Sequence, residues 1–163
     1  MNVAPADVMA ILDEVKDPEV PAISIVELGI VRGVEVTEDT VRVDITPTYS
    51  GCPAMRTIED DVVAALRIHG FREVTVRTVF QPAWTTEWIG EDARRKLREY
   101  GIAPPGNLDA GAPVQLGPTV RQVACPFCGS TRTEIRSQFG STACKSLHYC
   151  AACQQPFEHF KAI

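Results

Sequence analysis

The sequence predicts an α+β chain in two parts, a compact α-β-β-α-β domain followed by a small cysteine-stapled module, and three observations support this. Apolar residues recur at helical spacing in two separate stretches, they alternate with polar residues in three others, and four of the six cysteines form two C-x-x-C pairs late in the chain.

Val8, Ile11, Leu12 and Val15 stand at i, i+3, i+4 and i+7, which predicts a helix over 7–15 with one buried stripe. Asp17-Pro18 ends it, because the residue before a proline avoids the α region. Val34 and Val36, then Val41, Val43 and Ile45, alternate with polar residues on either side of Thr37-Glu38-Asp39 and predict a β-hairpin. After Ser50-Gly51-Cys52-Pro53, the set Met55, Ile58, Val62 and Leu66 returns to helical spacing, with Pro53 suited to the first helical position and Gly70 to the stop. Cys52 therefore falls at or near an N-cap. Val74 and Val76 mark a third strand.

Thr85 or Thr86 suits the cap of a further helix with an acidic first turn and with Arg94, Arg95, Lys96 and Arg98 in its later turns, where they complement the helix dipole. Trp84 and Trp88, four apart, would share a face of that helix, either covering the domain's own core or forming a docking patch. The run of basic residues is a solvated face or a surface for an acidic partner. A proline- and glycine-rich stretch then suggests a linker, giving a domain over 1–103, a linker over 104–119 and a second module over 120–163.

Composition narrows the classes of function. Within the 163 residues no apolar run reaches the roughly 18 residues that a membrane span needs, so no membrane role is expected. The first residues lack the basic flank and apolar centre of a secretory signal, which leads to an expected cytoplasmic location. A net charge of -5 argues against a general nucleic-acid binder, whose phosphate contacts favour a basic chain. In a reducing compartment the cysteines are metal ligands or reactive thiols rather than disulfides.

Cys125-Pro-Phe-Cys128 and Cys150-Ala-Ala-Cys153 are separated by 21 residues that suggest a turn-rich hairpin, the pattern of a zinc ribbon. Each pair forms a knuckle presenting two thiolates, and together they make the tetrahedral four-sulfur site that structural Zn2+ prefers. Iron or an iron-sulfur cluster at the same four positions is the alternative. Cys144 and His148 lie nearby, but a structural zinc takes four ligands and four are already present, so these two are expected to pack around the site.

Cys52 is open to two readings. A helix N-terminus offers free N–H groups and a positive dipole end that favour the thiolate, the form that is both nucleophile and ligand; a buried structural cysteine is the plainer alternative. Asp17 and Glu19 would bind metal or orient Cys52, or simply belong to the helix stop. Thr46, Thr48, Tyr49 and Ser50 would supply hydroxyl hydrogen bonds to a thiolate or cluster sulfide, or serve as turn residues. A thiol enzyme is disfavoured, because His69, His148 and His159 are the only histidines and none lies near Cys52 in sequence. His69 is expected at a helix C-terminus, where a cation is favoured.

The helix ending in Asp17-Pro18-Glu19, the hairpin and the motif TPTYSGCPA resemble, over residues 6 to 80, the metal-sulfur cluster assembly family, once catalogued as a domain of unknown function. That resemblance implies a role for Cys52 in iron-sulfur cluster handling, with Asp17 or Glu19 near it; Thr46, from the same motif, is grouped with them as a candidate. Nearly the whole chain, including PAWTTEWIGEDARRKLREYGIAPP, CPFCGS, FGSTACKSL and CQQPFEHFK, resembles the family of D subunits, accessory proteins of bacterial phenylacetyl-CoA epoxidase systems in aerobic phenylacetate degradation. Those systems combine a di-iron oxygenase with a flavin and iron-sulfur reductase. The resemblance implies an assembly factor rather than an enzyme, one that matures a metal centre in the oxygenase or reductase component through transient iron or an iron-sulfur cluster. A zinc-dependent protein-protein adaptor is the alternative. Since a cluster usually takes four cysteine ligands, one bound at Cys52 calls for a homodimer or exogenous thiols.

Overall fold

The computed structural model describes residues 4–106 and 122–163, and the contacts within it divide the chain between Ala93 and Arg94.

The first unit opens with helix α1, Pro5–Leu12, whose N-terminal proline needs no hydrogen-bond partner for its missing N–H. Asp7 closes the helix start by accepting the Ala4 N–H at 2.9 Å. The helix is shorter than its spacing predicts: Asp13 and Glu14 form turns, and Val15 stays buried as the chain leaves the helix. A stretch assigned no element from sequence follows. Val20, Ile23, Ile25, Leu28 and Ile30 are all buried there, held by turns such as Ile25 N–H to the Val15 carbonyl at 3.0 Å.

Strands β1, Val31–Thr37, and β2, Thr40–Ile45, form the predicted antiparallel hairpin, with Glu38 at a positive φ of 51° in the turn. Helix α2, Ala54–Ile68, buries Ala54, Ile58, Val62 and Leu66 and returns the chain to β3, Glu73–Thr78, parallel to β2. The sheet order is β1-β2-β3, so Val41, Val43 and Ile45 of the central strand form the middle of the core. Helix α1 packs against α2 and β1, and α2 packs against β3.

Trp84 and Trp88 do not share a helix. A single 3-10 turn, Thr86–Trp88, intervenes, capped by the Thr85 hydroxyl, and the next helix begins only at Glu91. Trp84 is buried and donates its indole N–H to the Leu28 carbonyl at 2.9 Å, which ties it to its own core. Trp88 is half-buried with the Arg32 guanidinium 3.7 Å over its ring. Gly29, at φ 76°, makes room for it: a Cβ there would lie 2.9 Å from the Trp88 Cβ.

In the second unit a four-stranded sheet runs β4-β7-β6-β5, where β4 is Ile102–Ala103, β5 Thr133–Ser137, β6 Lys145–Cys150 and β7 Pro156–Phe160. The hairpin expected between the cysteine pairs is β5-β6. Strand β4 precedes the 104–119 stretch, yet it pairs in parallel with β7 and extends the ribbon's sheet. The contact division likewise falls earlier than the boundary at 103 read from sequence. Most of 104–119, together with residues 120 and 121, lies outside the described residues. Helix α3, Glu91–Tyr100, includes Arg94, which is buried and donates to the Pro105 carbonyl, so the basic run is not wholly a solvated face. Among the described residues no helix is long and apolar enough to cross a membrane.

Candidate metal centre and cysteine site

The two C-x-x-C knuckles are built alike. In the first, the Cys125 N–H donates to the Ser130 carbonyl at 3.0 Å, and the Gly129 N–H donates back to the Cys125 carbonyl at 2.9 Å. In the second, the Cys150 N–H donates to the Gln155 carbonyl at 3.0 Å, and the Gln154 N–H to the Cys150 carbonyl at 2.9 Å. Each turn needs a left-handed residue after its second cysteine, supplied by Gly129 at φ 74° and by Gln154 at φ 60°. Glycine adopts this conformation freely, whereas glutamine adopts it at a cost.

The four sulfurs lie within 4.8 Å of one another, with Cys125–Cys153 and Cys128–Cys150 each at 3.6 Å. A tetrahedral zinc with bonds of about 2.3 Å sets its sulfurs about 3.8 Å apart, so this cage fits the ion. Proton affinity is uneven within it. Cys150 is drawn down to about 7, led by the Cys153 backbone N–H, while Cys153 is pushed up to about 12, led by burial and then by its hydrogen bonds with the other sulfurs. A bound cation would take the place of the retained protons. Cys144 and His148 stand outside this cluster: Cys144 pairs with the Thr142 hydroxyl at 3.1 Å, and His148 meets the Ser146 hydroxyl at 3.0 Å while stacking on Phe157.

Beyond the knuckles, the ribbon holds a buried charge that the sequence did not signal. Lys145 is 3% exposed, and its ammonium lies 3.2 Å from Glu158, whose other carboxylate oxygen accepts the Ser141 N–H at 2.5 Å. Burial pushes the Glu158 carboxyl up, but the bonds from Ser141 and the Lys145 charge outweigh it and hold the group below the ordinary glutamate value.

Cys52 lies half-buried one residue before the N-cap of α2, which is Pro53 rather than Cys52. Residues 49–52 form a turn closed by Cys52 N–H to the Tyr49 carbonyl at 3.3 Å, with Gly51 at φ 79° in the third position. A type II turn requires such a glycine there. The turn aims the thiol at the helix start, where the Ala54 N–H donates to the sulfur and the Tyr49 side chain adds a second hydrogen bond. The thiolate expected at a helix N-terminus is nonetheless not favoured. Burial pushes the Cys52 thiol above its ordinary value, and the negative charges of Glu19 and then Asp17 push the same way. Desolvation and two nearby carboxylates outweigh the helix end.

Folding thus brings Asp17 and Glu19 near Cys52. Asp17 is 5% exposed and accepts the Glu19 N–H at 2.8 Å and the Val20 N–H at 2.9 Å, so its carboxylate both shapes the helix exit and faces the thiol's surroundings. Thr46 and Thr48 are buried at the end of β2, Tyr49 is half-buried and Ser50 is exposed. His69 caps α2, its Nδ1 2.8 Å from the Ala65 carbonyl.

Fold and site define a two-module protein, an iron-sulfur-cluster-assembly type of α+β domain joined to a metal-binding β ribbon. Residues 5–78 match the family model "Iron-sulfur cluster assembly protein", and residues 109–161 match "PaaD zinc beta ribbon domain". The Escherichia coli K12 protein named as the D subunit of a "Putative 1,2-phenylacetyl-CoA epoxidase" is 44% identical over 157 residues, spanning 96% of this chain and 92% of that one. The chain belongs to that family of epoxidase D subunits. Its first module is also similar to the Fe-S protein maturation auxiliary factor of Porphyromonas gingivalis, at 32% identity over 56% of this chain and 88% of that one. Among solved structures it resembles a domain of unknown function from Bacillus anthracis (TM-score 0.53, 32% identity, 56% of this chain and 89% of that one). A conserved hypothetical protein of Thermotoga maritima is similar to a comparable extent (TM-score 0.50, 32% identity, 58% and 94%).

Proposed function

We propose that this chain is a non-catalytic maturation factor of a phenylacetyl-CoA epoxidase. In this reading it delivers iron or an iron-sulfur cluster to an oxygenase or reductase component in the cytoplasm. The observation that supports the reading best is the setting of Cys52, a thiol kept protonated by burial and by the Glu19 and Asp17 carboxylates. A cation reverses the sign of that arrangement: the carboxylates attract it, the thiol gives up its proton to it, and the Ala54 N–H remains to stabilise the sulfur's charge. Such a site holds cargo reversibly, which suits a carrier. Asp17 and Glu19 are the charged neighbours of the cargo and Thr46, buried just after β2, is a further candidate, while a cluster would take its remaining ligands from a second chain or from exogenous thiols.

The ribbon would hold structural Zn2+ through Cys125, Cys128, Cys150 and Cys153 and serve as the docking module. Phe127, 56% exposed, and Phe139, 65% exposed, also favour a second reading, in which the chain is purely an adaptor. One experiment separates the two. Cys52→Ser in cells should leave complex formation intact but lower the iron or sulfide content of the recipient component. Full metal content and epoxidase activity in that variant would leave the adaptor.

A further inference from the structure

We propose that the second unit carries a binding cavity for a small carboxylic acid, a carboxylate on a compact apolar body, with Arg98 as the partner of the charge. The cavity has a volume of about 400 Å³, within the roughly 300–1,000 Å³ usual for clefts that take small molecules. Ala103, Pro104, Val123 and Pro126 give it apolar walls, and Arg98 and His159 add polar groups. Arg98 is the one charged side chain among the described lining residues.

Local structure brings these groups together. The last turn of α3 carries Arg98, the Gly101 N–H closes that turn on the Arg98 carbonyl at 3.0 Å, and Gly101 at φ 93° sends the chain into β4. A Cβ on Gly101 would come within 3.1 Å of the Phe127 ring, so the first knuckle lies directly against this turn and brings Pro126 to the cavity. On the other side, β4 sets Ala103 level with His159 of β7, and β7 sets His159 opposite Ser146 of β6. Ser146 and His148 are buried; the Ser146 hydroxyl is 3.0 Å from the His148 Nε2, and the His148 ring meets the His159 ring edge-on at 5.4 Å. His159 is therefore held by neighbours that are themselves held, which keeps one geometry at the cavity wall.

Charge decides the class of ligand. Of the cations on α3, Arg94 donates to the Pro105 carbonyl and Arg95 pairs with Glu99 at 3.0 Å, while the Arg98 guanidinium has no partner among the described residues. A guanidinium presents a fork of N–H donors that matches a carboxylate. Beside aliphatic walls it selects an acid whose remaining atoms are apolar, and the His159 imidazole offers one further hydrogen bond. Because Arg98 is exposed, the carboxylate is held at the mouth and the apolar body goes inward.

The test titrates hexanoate, and separately the neutral hexanamide, into the isotope-labelled, full, zinc-loaded chain and follows the backbone amide NMR shifts. Hexanoate should give saturable shifts centred on Ala103, Val123 and His159, with hexanamide at least about tenfold weaker. Arg98→Gln, its fold checked on the same spectra, should weaken hexanoate about tenfold and leave hexanamide unchanged, whereas Arg95→Gln should bind hexanoate as the wild type does. A short peptide ending in a free leucine carboxylate should bind more weakly than hexanoate. Equal binding of acid and amide, unaltered hexanoate binding in Arg98→Gln, shifts that saturate elsewhere or not at all, or preference for the peptide would each overturn the proposal.

Discussion

Cysteine does opposite things in the two modules. In the ribbon four thiols face one another at distances that fit one ion, and each is held by a knuckle whose backbone bonds repeat those of its partner. In the first module a single thiol sits among buried and acidic groups and is held in its protonated form. The first arrangement closes a coordination shell and so suits permanent structural metal. The second leaves the thiol protonated, and in the proposed reading a cation would bind there only by displacing that proton. The difference lies in the neighbours, not in the residue.

The comparison can be broken most forcefully from the ribbon side. Cys150→Ser, or removal of metal by a strong chelator, should unfold the ribbon while leaving the hydrogen-exchange protection of β1, β2, β3 and α2 in place, since a structural zinc contributes about 10 kcal/mol or more to such a module. A ribbon that stays protected without metal would mean that its core, not the ion, holds it. Next in size is Lys145→Met, which strands the Glu158 carboxylate and should cost about 2–4 kcal/mol by denaturant unfolding at neutral pH. The pH dependence has a defined sign. Because the folded-state Glu158 value is depressed, its contribution is present above the ordinary glutamate value and is lost as pH falls through the folded one. The acid limb of the wild-type stability curve should therefore flatten in Lys145→Met.

Smaller effects sharpen the picture of Cys52. Glu19→Gln removes the larger of the two carboxylate influences and should speed Cys52 alkylation at neutral pH about twofold to threefold, with Asp17→Asn complicated by the loss of its turn bonds. No acceleration would mean that burial alone sets the thiol's state. Smallest of all, Cys52→Ser should change unfolding free energy by less than about 1 kcal/mol, measured on the same curves. A larger loss would make Cys52 a packing residue and weaken its reading as a contact to cargo.

Much of this was legible beforehand where the signal is a period or a spacing. The stripe Ile58, Val62, Leu66 and the alternation Val41, Val43, Ile45 became the buried faces of α2 and β2. The C-x-x-C spacing anticipated the four-sulfur cage. The buried loop from Val20 to Ile30 was not legible, because its apolar residues follow neither period and are covered only when α1 and the sheet close over them. Strand β4 was missed because two residues carry no periodicity and their partner, β7, lies beyond a proline-rich stretch. Trp84 and Trp88 were placed on one helix by their spacing, but Gly90 falls just after the short 3-10 turn and the helix starts afresh at Glu91.

By itself the sequence determined the order of the main helices and strands of the first module, and which four thiols come together in the second. Both are written in local spacing, and backbone geometry converts spacing directly into shared faces and knuckles. Only the tertiary structure decided the state of Cys52, the pairing of Lys145 with Glu158 and the strand that completes the ribbon's sheet. Burial and charge act through space, so the proton on a thiol at residue 52 answers to a carboxylate at residue 19 that no pattern along the chain connects to it.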